Sequence, residues 1–546
     1  MREDELARID EEARARGISR EELLKRAAVA GLAIYGAGGL ATAAEAAVGT
    51  AKPKKGGNFR VGAAGGSSSD IIDGQDIVTN PDQARLVAGW ETLVVFDQNF
   101  KITYNGLAEE LAPQKNNAAV WTIRVRSGVE FHNGKTLGAD DVIYSLRRLV
   151  DPKLKLFGGA ALSSINPNNI KKLDNRTVRL FLKQKDVTIL DALGQYVAGI
   201  VPVGYSPKAV GKAPLKQQIG TGPYMLKSFT PGQQSVHVRN PNYWRTGQPY
   251  FDQVTVLDFP DDTARVNALL GGQIDAAVQI PPAQVSVVSG HSGTKILESP
   301  TAQWTPICMR VDSAPFTDVR VRQAMRLIAN RPQIVAQGLA GHGHLGNDLY
   351  APFDPLYDHG LPQRVQDIDK AKSLLKAAGQ DGLTIDLQTT NGALGQNEGA
   401  QVFAQQAKAA GVTVNVKILD SGAFYSNQYL KWTFSTDFWG TRNYLSQVAA
   451  GSLPSSPYNE THWPDAADAK FKKLYSEALQ TVSLKKRTEI VHEMQTLEYD
   501  NGGYLVWGFS NFLDGYSTKL GGLIPGDKGV IPLNGFGNGF RTIWFT

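Results

Sequence analysis

Cysteine is almost missing from this chain: Cys308 is the one thiol in 546 residues. A single thiol excludes an intramolecular disulfide and any cysteine-built metal site. It sits in the apolar stretch Thr305-Pro-Ile-Cys-Met-Arg310, which reads as a strand, so a buried, inert side chain is expected. A charge excess is nearly missing too. Lysine and arginine outnumber aspartate and glutamate by 57 to 52, a net +5, with no long basic run. That balance excludes a nucleic-acid surface, and no nucleic-acid partner is expected. Neither a Gly-x-Ser-x-Gly elbow nor a His-Glu-x-x-His helix occurs, so two common hydrolase signatures are absent. An exported hydrolase is one alternative reading. A metal- or haem-binding carrier is another, through His342 and His344 in Gly341-His-Gly-His-Leu345. Two histidines at i, i+2 are too few to make a metal site, so no metal and no cofactor is expected.

What is present is an ordinary globular composition, with 42% hydrophobic and 20% charged residues. The length exceeds what one hydrophobic core supports, so two or more lobes are expected. Fifty-six glycines imply many turns.

Residues 1–47 read as an export signal. Lys25-Arg26 precedes a small-residue apolar run, Ala27 to Ala47, which ends in the Ala-x-Ala sites Ala41-Thr42-Ala43 and Ala44-Glu45-Ala46. The run is Ala/Gly-rich and short for a membrane span, which favours cleavage over anchoring. Ser19-Arg20-Glu21-Glu22-Leu23-Leu24-Lys25 resembles the twin-arginine export motif, with Glu21 in place of the second arginine, so the Tat-like and Sec routes both stay open. No cysteine lies near the cleavage region, which excludes a lipid anchor and points to a free protein in the periplasm. Residues 48–57 form a flexible, glycine- and lysine-rich lead-in.

From Asn58 onward, strand-like and helix-like segments alternate. Val120–Arg126, Arg176–Leu182 and Ser235–Arg239 have the period-two alternation of half-buried strands. Asp140–Leu149, Asp369–Ala378 and the segment from Asp262 to Gly271-Gly272 carry helical spacing with turn residues at their ends. This mixture points to α/β lobes. Between Phe424 and Tyr444 aromatic residues are dense enough to supply both core and a binding cleft.

Four segments carry a family resemblance. They are Trp121–Leu137 continuing through Asp140–Leu146; Gly220-Thr-Gly-Pro-Tyr-Met-Leu226 with Arg239–Trp244; Pro260–Asp275; and Pro315–Met325. In this order and spacing they resemble the family 5 extracellular solute-binding proteins of ABC transporters, the dipeptide-, oligopeptide- and nickel-binding type. Their residues read mainly as structural: Asn133-Gly134 as a tight turn, His132 as a hydrogen-bonding neighbour of that turn.

The resemblance implies an α/β, two-lobed periplasmic-binding-protein-like clamp (large, class II type) with an extra subdomain in the first lobe. Residues 58–298 and 509–546 would form lobe one, with the inserted subdomain at about 95–215, and residues 299–508 lobe two. It also implies a monomeric binder that hands a small-molecule ligand to an ABC permease with its ATPase and catalyses nothing. Ligand contacts would come from Ser68 and Ser69 on lobe one. Lobe two would supply Trp304 and Phe438-Trp439-Gly440-Thr-Arg442-Asn-Tyr444, with Trp439, Gly440, Arg442 and Tyr444 as the candidates. In peptide-binding members an aspartate occupies the position of Arg442 and pairs with the ligand's amino group. A guanidinium there would repel an ammonium and favour a carboxylate, phosphate or sugar hydroxyl. The ligand class implied is a peptide, an opine-like conjugate or an oligosaccharide.

Overall fold

The computed structural model describes residues 53–546 except 69, 78–79, 98–99, 116, 206–217, 464–468, 524–532 and 534–539. The expected export signal lies outside the described residues, as does Ser69. Residues 55–545 form one compact unit. Among the described residues, no helix is long and apolar enough to cross a membrane.

Along the chain, strand β1 (Asn58–Ala64) leads to helix α1 (Asn80–Gly89). The pair β2 (Ala108–Gln114) and β3 (Asn117–Val125) is followed by α2 (Ala139–Leu149). Strands β4 (Ile165–Lys172) and β5 (Thr177–Leu182) precede α3 (Ile189–Gly194). These four strands form a sheet of their own, in the order β2-β3-β5-β4. Its alternating residues Trp121, Ile123, Val178 and Leu180 bury against Val142, Leu146 and Leu149 of α2. That is the two-against-3.6 periodicity visible in the sequence.

The chain then returns through β6 (Tyr224–Thr230), β7 (Gln234–Arg239) and β8 (Gln253–Phe259) to α4 (Asp262–Leu270). Asp261 caps α4 by accepting from Ala264 N at 2.7 Å. Gly272, at φ 68°, turns the chain out of it, where a side chain would be strained. After β9 (Ala276–Ala277) and β10 (Thr294–Gln303) the chain leaves this sheet for a second one. There it forms β11 (Ile307–Met309) and α5 (Val319–Ile328), but β12 (Gly343–Leu345) reaches back to the first sheet. The remainder is α6 (Ile368–Ala377), β13 (Thr384–Thr389), α7 (Gln396–Ala407), β14 (Thr413–Ile418) and β15 (Phe434–Thr436). It is followed by α8 (Tyr444–Gly451), α9 (Ala469–Gln480), α10 (Leu484–Asn501), β16 (Tyr504–Leu505) and β17 (Gly508–Ser517).

The larger sheet has the order β10-β17-β9-β1-β8-β7-β6, with β12 also on β17; the smaller is β14-β13-β15-β11-β16. The chain passes between them four times: from β10 into β11, out to β12 and back to β13, and from β16 into β17. Helices and apolar side chains cover both faces of the smaller sheet: Phe316, Met325 and Phe403 on one, Trp304, Tyr444 and Val491 on the other.

Each sheet contains parallel neighbours, β1 with β8 and β9, and β13 with β14 and β15. In such sheets ligands gather beyond the carboxyl ends of the strands. In the larger sheet that edge carries the loop after β1, pinned by Asp70, which accepts from Ser67 N at 3.0 Å. Beneath it Arg85 is fully buried among three carboxylates, with Asp82 at 2.8 Å, Asp70 at 3.2 Å and Asp258 of β8 in contact as well.

Candidate functional site

In the smaller sheet the carboxyl edge is drawn together by Thr436 of β15, whose hydroxyl donates to Thr389 Oγ1 of β13 at 2.8 Å. Past Thr436 the chain runs through Asp437 and Phe438 to Trp439. The Trp439 N–H donates to the Trp304 carbonyl at 2.9 Å and Trp304 N–H to the Trp439 carbonyl at 3.1 Å. This reciprocal pair sets the two indoles parallel, with centroids 6.2 Å apart. Trp304 also stacks on Tyr350 at 5.3 Å and meets Tyr504 edge-on at 5.2 Å. Gly451 of α8 closes the edge of Trp439; a methyl there would lie 2.8 Å from the ring and 3.2 Å from the Tyr504 hydroxyl.

Arg442 sits over the Trp439 ring, its guanidinium carbon 5.2 Å from the centroid. Water still reaches the side chain, yet enough protein surrounds it that burial pulls its pKa down. The side chain is thus half-buried. Tyr196, Tyr458 and Glu460 act on its charge from around it. Tyr196 follows α3, in the segment that includes the four-stranded sheet, so Arg442 faces across from one part of the molecule to another. Burial pushes the Tyr196 hydroxyl up to about 12 while Arg442 draws it down. Two further contacts cross the same gap: Ser446 Oγ donates to Asp191 at 3.2 Å, and Val187 N–H donates to the Leu479 carbonyl at 3.1 Å.

Behind Trp439 lies a buried acid pair. Asp437 and Glu460 are 3% and 4% exposed. Phe438 N–H donates to Asp437 at 2.8 Å, the Tyr429 hydroxyl also bonds Asp437, and the Tyr504 hydroxyl donates to Glu460. Desolvation raises the Asp437 carboxyl to about 6 and, together with the Asp437 charge, lifts Glu460 well above its ordinary value. Two adjacent buried carboxyls cannot both ionise cheaply, so the pair keeps a proton. Several polar atoms here lack partners: Glu460 Oε1, Trp439 Nε1, Asn443 Oδ1 and both amide ends of Gln447. In native proteins such atoms are usually satisfied, so their clustering points to a polar occupant.

The model of the bacterial extracellular solute-binding proteins, family 5 middle, matches residues 103–460. The chain belongs to this family. A probable di/tripeptide-binding protein of Pseudomonas aeruginosa is 23% identical over 467 residues, 80% of this chain and 87% of that protein. The glutathione-binding protein GsiB of Escherichia coli K12 is 26% identical over 361 residues, 65% and 69% of the two chains. Among solved structures, the ABC transporter substrate-binding protein CtaP of Listeria monocytogenes aligns at TM-score 0.78 and 21% identity, over 90% of this chain and 100% of that one. NikZ of Campylobacter jejuni, in complex with Ni(L-His), aligns at 0.73 and 19%, over 89% and 99%. These structural likenesses carry the two-lobed α/β clamp. The family 5 chain is thus the solute-binding component of an ABC importer, a class that binds rather than transforms and works with permease components outside the cytoplasm.

Of the residues expected to bind ligand, Arg442 and Trp439 come together, Trp439 itself buried at 5% exposure, and Gly440 lies exposed beside them with open space around its α-carbon. Ser68 is exposed on the loop after β1, at the carboxyl edge of the larger sheet. Trp304 is 3% exposed, its ring covered by three aromatic neighbours, so it backs the site rather than presenting a face. Tyr444 corrects the expectation of a ligand contact. Its side chain is fully buried, stacked on Tyr350 at 5.2 Å, and its hydroxyl donates to Glu498 at 2.6 Å. His342 and His344 diverge: His342 Nδ1 lies 3.1 Å from Glu298, while His344 stacks on Phe509 at 5.0 Å. Cys308 is buried, and burial pushes its thiol pKa far up, which makes it inert. His132 bonds the Gly222 carbonyl at 3.0 Å, and burial holds it neutral at about 4. Asp437, Glu460, Gln447 and Tyr196 were not singled out. Only Asp437, two residues before Trp439, stood close to a quoted motif.

Proposed function

We propose that this importer component captures an anionic small solute between lobe one, residues 58–298 and 509–546, and lobe two, residues 299–508. Arg442 is the anchor. The observation that carries this reading is a half-buried guanidinium stacked on Trp439 and facing Tyr196, with no carboxylate of the described residues in ion-pair reach. A carboxylate or phosphate entering there forms a charge-assisted hydrogen bond worth about 1.5–3 kcal/mol. Ser68 completes the cleft from lobe one. Closure is selected because the solute touches both lobes only in the closed form; a contact made equally in both forms shifts nothing. Acidic opine-like conjugates, acidic peptides and anionic oligosaccharides fit this chemistry. The protein acts as a monomeric binder, exported by a Tat-like or Sec signal to the periplasm.

The test is a thermal-shift screen of protein unfolded and refolded to strip carried-over solute. The panel holds acidic conjugates, acidic and neutral peptides, and neutral oligosaccharides. Solute at 100 times its Kd stabilises by about 2.7 kcal/mol, a visible shift. Acidic compounds should shift the midpoint and Arg442→Ala should abolish the shift. A shift by neutral sugars alone, unchanged in Arg442→Ala, would sink the reading.

A further inference from the structure

Arg442 accounts for one charged group of the solute, and behind Trp439 a buried acid pair stands without an ion-pair partner among the described residues. Asp437 is the first residue beyond β15, at the carboxyl edge where ligands gather in such sheets. Beside it Glu460 is equally buried. The groups facing the pair are Tyr425, Tyr429, Tyr504, Cys308 and Arg442, and none of them forms an ion pair with it. Burying a carboxylate without a counter-charge costs several kcal/mol. A separate observation points to an occupant. Gln447, 1% exposed, has neither amide end bonded. It lies one helical turn before Gly451, on the face that meets the Trp439 ring and the Tyr504 hydroxyl that bonds Glu460. Glu460 Oε1 and Trp439 Nε1 are unpartnered in the same corner, an acceptor and a donor.

We infer that Asp437 and Glu460 form a subsite for a cationic group, an ammonium or guanidinium, on the same solute whose anionic group Arg442 holds. The solute is therefore dipolar, with its two charges on either side of Trp439. This rests on the lobe-two site proposed above. Entry of the cation displaces the proton shared by the two carboxyls: the acid O–H breaks, both carboxyls are left ionised, and one proton passes to solvent per solute bound.

The test is isothermal titration of the refolded protein at pH 7 with the dipeptide Gly-Glu and with N-acetyl-Gly-Glu, each in phosphate and in Tris. The two buffers differ in ionisation enthalpy, so the heats report proton release. Gly-Glu should bind at least tenfold tighter than its acetylated form and release close to one proton; the acetylated form should release none. In the double variant Asp437→Asn/Glu460→Gln the tenfold preference and the proton release should vanish while the acetylated form keeps its affinity. The comparison between two probes within one variant is independent of how much of it folds. Equal affinities, no proton release, a preference that survives in the double variant, or no binding of either probe would each overturn the inference. Failure of the Arg442 reading looks different: Arg442→Ala would leave both affinities unchanged and the amine preference intact.

Discussion

The two sheets bury charge at matching places and resolve it in opposite ways. Beyond the carboxyl ends of β1 and β8, Arg85 is enclosed by Asp70, Asp82 and Asp258 and packs its guanidinium over Phe229 at 5.0 Å. The cation comes from the same chain, and the loop carrying Ser68 is locked in place by it. Beyond β15, Asp437 and Glu460 have tyrosine hydroxyls, and Arg442 acts on Glu460 without forming an ion pair. The first cluster draws its cation from the fold, and Asp258, beside Asp70, is still raised to about 6 by burial. The second has no ion-pair partner among the described residues and keeps a proton.

The largest expected effect breaks the first cluster. Arg85→Met leaves buried carboxylates without their cation and should cost about 3–5 kcal/mol in denaturant unfolding. The next effect uses pH to sharpen the contrast. The Asp437 carboxyl holds its proton up to about 6, against 3.8 ordinarily. Between those values the folded state binds more protons than the unfolded state, so this group's contribution to stability falls as pH rises through the window. Asp437→Asn should flatten that fall. Asp258 and Asp514 are raised in the same direction, so the measurement is the difference between variant and wild type from pH 4 to 7. Smaller again, Arg442→Ala should weaken an acidic ligand by about ten- to a hundredfold, from about 1.5–3 kcal/mol, while its unfolding midpoint hardly moves. The smallest effect is Gln447→Leu. Replacing an unsatisfied buried amide with an apolar group should leave the empty protein as stable or about 1 kcal/mol more stable, yet weaken the solute. A large loss of stability in the empty protein would mean that Gln447 is bonded and faces no cavity.

Local order was readable in the sequence. The strand over 120–126 and the helix over 140–149 appear as Asn117–Val125 and Ala139–Leu149, offset by up to three residues at the ends. The helix from Asp262 begins and ends at its aspartate cap and its glycines. The site was half readable. Arg442 stood out because it replaces an acid in a recognised segment. The Asp437–Glu460 pair did not, because 23 residues separate its members and only packing around Tyr504 joins them. Gln447 looks in sequence like any polar residue on a helix. Tyr196 belongs to a different part of the chain. Tyr444 misled for the opposite reason: in sequence a tyrosine beside a binding motif and one satisfied by a distant glutamate are identical, and Glu498 lies 54 residues further on.

Strand β17 pairs with β10 from Ser517 to Ser510, with a register irregularity between Pro300 and Gln303, and at Ser510 exchanges that partner for β12. The proposed lobes are thus joined by a hydrogen-bonded ribbon rather than by loose linkers. A ribbon flexes across its broad face but resists shear and swivel, since either would break the ladder. A bend centred near Ser510, where the partner changes, is the movement this connection favours. Distances measured between label pairs placed anywhere across the cleft should then change in fixed proportion to one another, as the readings of one dial.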